Sequence, residues 1–213
     1  MNTKKFCLYF GAALIIVLLD HGLKLWVHFC IPLGLPGEIK LLGDWFKIHY
    51  TLNPGMAFGF EMGVPYGKLA LTLVRIWITY RITTHLWWLL CTRGHSLLLR
   101  WSWALILGGA IGNAIDSIFY GALLNNVQYG APTAWFHGQV IDMFYLDIYE
   151  VMVPSWVPLF GGGPLTIFPI FNIADVAISI GVIGLILSGK ELGMQKRAQG
   201  DASTEGLVDS TNG

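Results

Sequence analysis

The run Phe6–Leu19, FCLYFGAALIIVLL, contains no charged residue. Extended through DHGLKLWV to Val27, it is long enough to cross a bilayer core, which takes about 20 largely apolar residues. Three further stretches read the same way: Tyr66–Leu90, Leu97–Phe119 and Phe168–Ser188. The second is interrupted by Arg75, Arg81 and His85. Charged residues make up only 12% of the 213 positions and hydrophobic ones 54%, whereas a soluble domain averages about 25% charged. Lipid is therefore the expected solvent. Lys4 and Lys5 precede the first run as they would in a signal peptide, but no small-x-small cleavage site follows it, and the run reads as a retained span. A formal net charge of +0 gives no ground for a nucleic-acid partner. Cys7, Cys30 and Cys91 are scattered, with neither metal-ligand nor disulfide spacing.

The basic residues orient these spans. Lys4 and Lys5 lie before the first, Arg93 and Arg100 around the second connection, and Lys190, Lys196 and Arg197 after the last. With four spans these places share one side, and the positive-inside rule makes it the cytoplasm. Both termini are then cytoplasmic, and the connections 28–65 and 120–167 face outward. Arg81 can snorkel to the inner interface; Arg75 lies deeper and has no role by this reading. The outward stretch GEIKLLGDWFKIHYTLN alternates in part, as short strands do. The aromatic, proline-rich YLDIYEVMVPSWVPLFGGGPLTIFPIF suits a headgroup region. The expected architecture is membrane α-helical: four transmembrane helices with small β and amphipathic elements on the outer, periplasmic face. Residues 1–198 form one domain, and the polar tail 199–213 is expected to be disordered.

On this topology the polar residues converge. Asp20 and Lys24 lie near the outer end of the first span, spaced for an i,i+4 ion pair. Asn113 and Asp116 come late in the third, after Gly108 and Gly112, whose spacing lets helices approach closely. Asn172 and Asp175 stand at the outer entrance of the fourth, and Asn53 and Asp142 in the outer connections. Each intramembrane ionisable group costs about 2.5–3.5 kcal/mol on insertion scales, so several at one depth suggest a site. The bland alternative is helix packing, with Asp20 satisfied by Lys24, and Asn113 and Asp116 joining helices. No HExxH, GxSxG or Cys-His arrangement is present. His137 near Asp142 is the one metal candidate, and neither a metal nor another cofactor is expected. What remains is carboxylates. Two in a partly dry site share a proton, and such a pair can activate water while protonating a carbonyl oxygen. A small transporter with a proton relay is the main alternative, but a relay is distributed across the membrane and these groups sit on one side. A non-catalytic assembly factor would use the same residues only for packing. A Ser-Lys peptidase finds little support, Lys24 being the only lysine placed near the set.

Five motifs, in order, carry a resemblance: DHGLK (20–24), NPGMAFG (53–59), GGAIGNAIDS (108–117), GQVIDMF (138–144) and FNIADVAI (171–178). Together they resemble lipoprotein signal peptidase (signal peptidase II, aspartic peptidase family A8). The resemblance implies a membrane-embedded aspartic endopeptidase that cuts bacterial prolipoproteins just before the diacylglyceryl-modified cysteine, at the outer leaflet of the cytoplasmic (inner) membrane. It implies Asp142 and Asp175 as the catalytic pair, one from a loop and one from a helix start. Asp20, Lys24, Asn53, Asn113, Asp116 and Asn172 would order the site or bind substrate, and Asn53 and Gly55 in a tight loop would cover it. Inhibition by globomycin-like cyclic lipopeptides, contact with membrane lipids and a monomeric enzyme are also expected. Two departures stand out. The family commonly has Arg directly after the supporting Asp, where this chain has Ser117, and the connection 120–167 is longer and more aromatic than usual.

Overall fold

The computed structural model describes residues 3–54, 66–127, 129–148, 150–152, 154, 156, 164–166 and 168–189. Four helices dominate: α1 (Thr3–Cys30), α2 (Gly67–Cys91), α3 (Leu97–Leu123) and α4 (Ile173–Gly189). Among the described helices, α1 and α3 are long and apolar enough to cross a membrane, and α4 is shorter and apolar. α2 spans 25 residues but carries Lys68, Arg75 and Arg81. α3 starts where the Ser96 hydroxyl accepts the Leu99 N–H at 3.1 Å, an N-cap. Its α-helical part ends at Ile115 and passes into a π-turn, Asp116–Tyr120.

The expected fourth span began at Phe168; the helix begins at Ile173. Two devices hold the start there. Phe171 exchanges backbone hydrogen bonds with Phe144 at 2.8 and 3.0 Å, which keeps it extended. Asn172 and Asp175 then form a reciprocal capping box. The Asp175 N–H donates to the Asn172 side-chain oxygen at 2.9 Å, and the Asn172 N–H donates to the Asp175 carboxylate at 3.2 Å.

The outer connections contain a three-stranded antiparallel sheet in the order β1 (Ile39–Leu42), β2 (Phe46–Asn53), β3 (Val140–Leu146). The expected strands in 39–53 are thus present, and β3 completes the sheet from the other connection. Thr51 lies opposite Asp142 and Asn53 opposite Val140. Two short strands, β4 (Glu150–Met152) and β5 (Pro164–Thr166), form a separate antiparallel pair. Gly55 and the tail 199–213 lie outside the described residues.

Two apolar cores result. Tyr9, Ala13, Ile82, Leu86, Ala104, Ile106 and Leu107 join α1, α2 and α3. Val27, Ile31, Ile48, Tyr50, Tyr120, Ile141 and Met143 join the far ends of α1 and α3 to the sheet. Asp20 and Lys24 on α1, and Asn113 and Asp116 on α3, fall between these clusters along each helix. Close helix contact there depends on glycine. A Cβ on Gly109 would meet the Ala174 carbonyl oxygen at 2.3 Å, and one on Gly112 would meet Asp20 Oδ2 at 2.8 Å. The expected close approach at Gly108 and Gly112 is present, with Gly108 against Ala13 and Ile16 of α1.

Candidate active site

The capping box of α4 is also the hub of the polar cluster. Asn172 is fully buried. Its side-chain oxygen caps the helix, and its amide nitrogen donates to Asp142 Oδ1 at 2.6 Å and to Asn113 Oδ1 at 3.2 Å. Asn113, from α3, donates in turn to Asp175 Oδ1 at 2.9 Å. Asp142 and Asp175 are therefore joined through one asparagine, and the pairing of Phe144 with Phe171 holds their two segments in register.

Asp142 lies within β3 rather than in a loop. The ladder explains its second contact. Thr51 is directly opposite Asp142, so Asn53, two residues on, sits diagonally on the same face. Its Nδ2 donates to Asp142 Oδ2 at 2.9 Å. Asn53 therefore belongs to a strand end. The Asp142 carboxyl is 1% exposed. Burial first, and then the negative charge of Asp175, push it up to about 7, against the donors Asn53 and Asn172 that favour its ionised form.

A second group of carboxylates lies alongside. Lys24 Nζ bridges Asp20 Oδ2 and Asp116 Oδ2 at 2.6 Å each, with all three side chains fully buried. The expected Asp20–Lys24 pair is thus part of a triad. Lys24 also donates to Asn113 Oδ1 at 3.3 Å. Asp20 Oδ1 accepts the Ala174 N–H of α4 at 3.0 Å, satisfying another donor of that helix's first turn. Asp20, His21 and Asp116 could reach one cation, but the Lys24 ammonium already bridges the two carboxylates. Among the described residues His137 belongs to no such group; it is buried, its Nδ1 at 2.9 Å from the Trp135 carbonyl oxygen and 3.0 Å from Thr133 Oγ1.

The π-turn at Asp116 has a visible use. It leaves carbonyls that the loop before β3 fills: Gly138 N–H donates to the Ser117 oxygen at 3.0 Å and Phe136 N–H to the Ile118 oxygen at 3.1 Å. The turn thus ties the helix carrying Asp116 to the strand carrying Asp142. Such single turns recur at functional sites.

One face of α2 completes the surroundings. Lys68 Nζ donates to the Pro54 oxygen at 2.7 Å, Thr72 donates to the Phe136 oxygen at 2.8 Å, and Arg75 donates to Ser117 Oγ. The sequence reading placed Lys24 alone near the carboxylates. Lys68 is a second lysine, within electrostatic reach of Asp116 and Asp142. Its signal was available: positions 68, 72, 75 and 79 (Lys, Thr, Arg, Thr) recur at helical spacing. The expectation of an apolar span masked that stripe.

Residues 12–189 match the family model described as signal peptidase (SPase) II. The chain belongs to the signal peptidase II family. A lipoprotein signal peptidase of Amoebophilus asiaticus is 51% identical over 203 residues, covering 95% of this chain and 86% of that protein. One from Porphyromonas gingivalis is 42% identical over 188 residues, covering 83% of this chain and 80% of that protein. A solved bacterial membrane enzyme shares the fold with a TM-score of 0.59 at 23% identity, over 86% of this chain and 87% of its own. Within this signal peptidase II chain, Asp20, Lys24, Asn53, Asn113, Asp116, Asp142, Asn172 and Asp175 form one connected polar cluster.

Proposed function

We propose that this chain is a membrane-embedded aspartic endopeptidase that removes signal peptides from bacterial prolipoproteins, cutting before the diacylglyceryl-modified cysteine. The observation that carries this reading is the joining of Asp142 to Asp175 through Asn172. Asp175 lies at a helix N-terminus, whose dipole favours negative charge. Asp142, pushed up to about 7, keeps a proton near neutral pH. A water between them would lose a proton to Asp175 as it attacks the scissile carbonyl carbon, while Asp142 donates its proton to the carbonyl oxygen. Collapse of the tetrahedral diol, with protonation of the leaving nitrogen, gives the signal-peptide carboxyl and a free amine on the lipidated cysteine. The pair then holds one proton, as at the start.

The surface supports a setting in lipid. Leu14, Ile15, Leu18 and Leu19 of α1, and Ile180, Ile183, Ile186 and Leu187 of α4, are exposed. Apolar area on this scale needs a cover. All four helices would span the bacterial cytoplasmic membrane, with both termini cytoplasmic and the site at the outer leaflet, where diacylglyceryl chains tether the substrate. Globomycin-like cyclic lipopeptides would occupy the same site, and one copy of the chain suffices for the chemistry.

The test is a cleavage assay on purified protein with a diacylglyceryl-modified prolipoprotein. Wild type is expected to cut before the modified cysteine. Asp142→Asn and Asp175→Asn should each lose at least about 100-fold in rate, the range of general acid–base catalysis, with unchanged thermal unfolding. Wild-type rates in either variant would overturn the pair.

A further inference from the structure

Arg75 is the one cation of the α2 stripe that faces the carboxylates from mid-helix, and the chemistry so far leaves it without a task. Its Nη1 donates to Ser117 Oγ, and that hydroxyl donates to the Asn113 carbonyl oxygen at 3.0 Å. Ser117 is fully buried. Its own carbonyl accepts the Gly138 N–H, two residues before β3. Ser117 therefore sits where three lines meet: one to the residue holding Asp175, one to the strand carrying Asp142, and one to α2. The guanidinium lies within electrostatic reach of Asp116, Asp142 and Asp175. Asp116 already shares Lys24 with Asp20, so Arg75 adds positive charge to a neighbourhood where Asp142 and Asp175 receive their hydrogen bonds from amides.

We propose that Arg75 is the charged positioning residue of the carboxylate pair, delivered from α2 through Ser117. Ser117 stands at the position where the resemblance led to an arginine, and the guanidinium reaches that position from another helix. A planar guanidinium stays charged at every accessible pH and directs several donors at once. It holds the junction between Asn113 and β3, and it keeps the pair in its singly ionised form. This deepens, and rests on, the reading of Asp142 and Asp175 as the catalytic pair.

Among the described residues, the other charged groups around the pair are Asp20 and Lys24 from α1, Lys68 from α2 and Asp116 from α3, with His21 beside Asp116. They stay in place in the variants below, so a changed pH profile reports on Arg75. Loss of cleavage in Asp142→Asn and Asp175→Asn tests the catalytic reading separately. With that established, Arg75→Gln is expected to lower kcat about 100-fold, as a displaced reacting group does. It should also move the alkaline limb of the pH–rate profile, set by Asp142, up by about one unit, because a carboxylate that loses a positive neighbour holds its proton more tightly. Arg75→Lys retains a charge and should keep that limb near its wild-type position while turning over more slowly. An unmoved alkaline limb in a folded Arg75→Gln would overturn the proposal and leave Arg75 a packing tie. Should Arg75→Gln not fold, Ser117→Ala decides. It cuts the tie and leaves the guanidinium, so kcat should fall with KM nearly unchanged; wild-type kcat in Ser117→Ala would overturn the proposal.

Discussion

Two carboxylate groups lie side by side in this protein, and their partners differ. Asp20 and Asp116 are fully buried and share the ammonium of Lys24. Asp142 and Asp175 receive their hydrogen bonds from the amides of Asn53, Asn113 and Asn172. A shared ammonium keeps at least one of its two carboxylates charged, because protonating both would leave the cation buried and unpaired. A neutral amide donates to a carboxylate but does not forbid its protonation. The first group joins α1 to α3 and caps α4. The second, in the proposed mechanism, exchanges protons. What separates the two groups in this fold is the charge of the hydrogen-bonding neighbour, with Asp142 as deeply buried as Asp20 and Asp116, and Asp175 half-buried.

The sharpest way to break the contrast is to remove the shared cation. Lys24→Met would leave Asp20 and Asp116 buried together without a counter-charge. Removing one partner of such a pair costs about 3–5 kcal/mol. The expected result is a large fall in thermal unfolding temperature and folded yield in detergent, with cleavage lost in proportion to folded protein. Asp142→Asn should show the opposite pattern, with the fold kept and the chemistry lost. If Lys24→Met unfolds like wild type, the triad does not hold the helices together and the contrast fails.

The second prediction concerns protons. In the proposed mechanism cleavage needs Asp142 in its protonated form, and that carboxyl is pushed up to about 7 by burial and by Asp175. The rate should therefore fall above that pH, approaching about tenfold per unit. Asn53 donates to the ionised form of Asp142. Asn53→Ala removes that donor, so Asp142 holds its proton more tightly and the alkaline limb moves to higher pH. A limb that stays in place, or moves down, would show that Asn53 does not govern this carboxyl.

Much of this was legible in the residues. The spacing of Asp20 and Lys24 pointed to their ion pair, and the partial alternation in 37–53 pointed to short strands. Those are local patterns, repeated every few residues and set by one element's geometry. The strand around Asp142 was missed because β3 exists only as partner to β2, across a long separation in sequence. The start of α4 was placed too early because hydropathy ignores backbone pairing, and Phe171 is held extended by Phe144. By hydropathy Arg75 only interrupts a span, and Lys68 carries no signal at all. Hydropathy counts a cation as a cost wherever it stands, and only packing shows that these two face carboxylates.

Asn172 does one job for each side of the contrast, and a single substitution can part them. Its side-chain oxygen caps α4, and its amide nitrogen donates to Asp142. Serine is about as good an N-cap as asparagine, but its hydroxyl is too short to hold both partners. Asn172→Ser should therefore keep the cap and lose only the amide's bonds, about 1–3 kcal/mol of stability for a buried acceptor left unpaired. Asn172→Ala, which removes the cap as well, should cost about 1 kcal/mol more. In both variants Asp142 loses a donor that favours its charged form, so the alkaline limb of cleavage should rise by a similar amount. Equal limbs with unequal stabilities would show that capping and proton control are separate functions of one side chain. If Asn172→Ser instead matches wild type in pH profile and rate, the amide contributes only structure, and Asp142 and Asp175 are linked by another route.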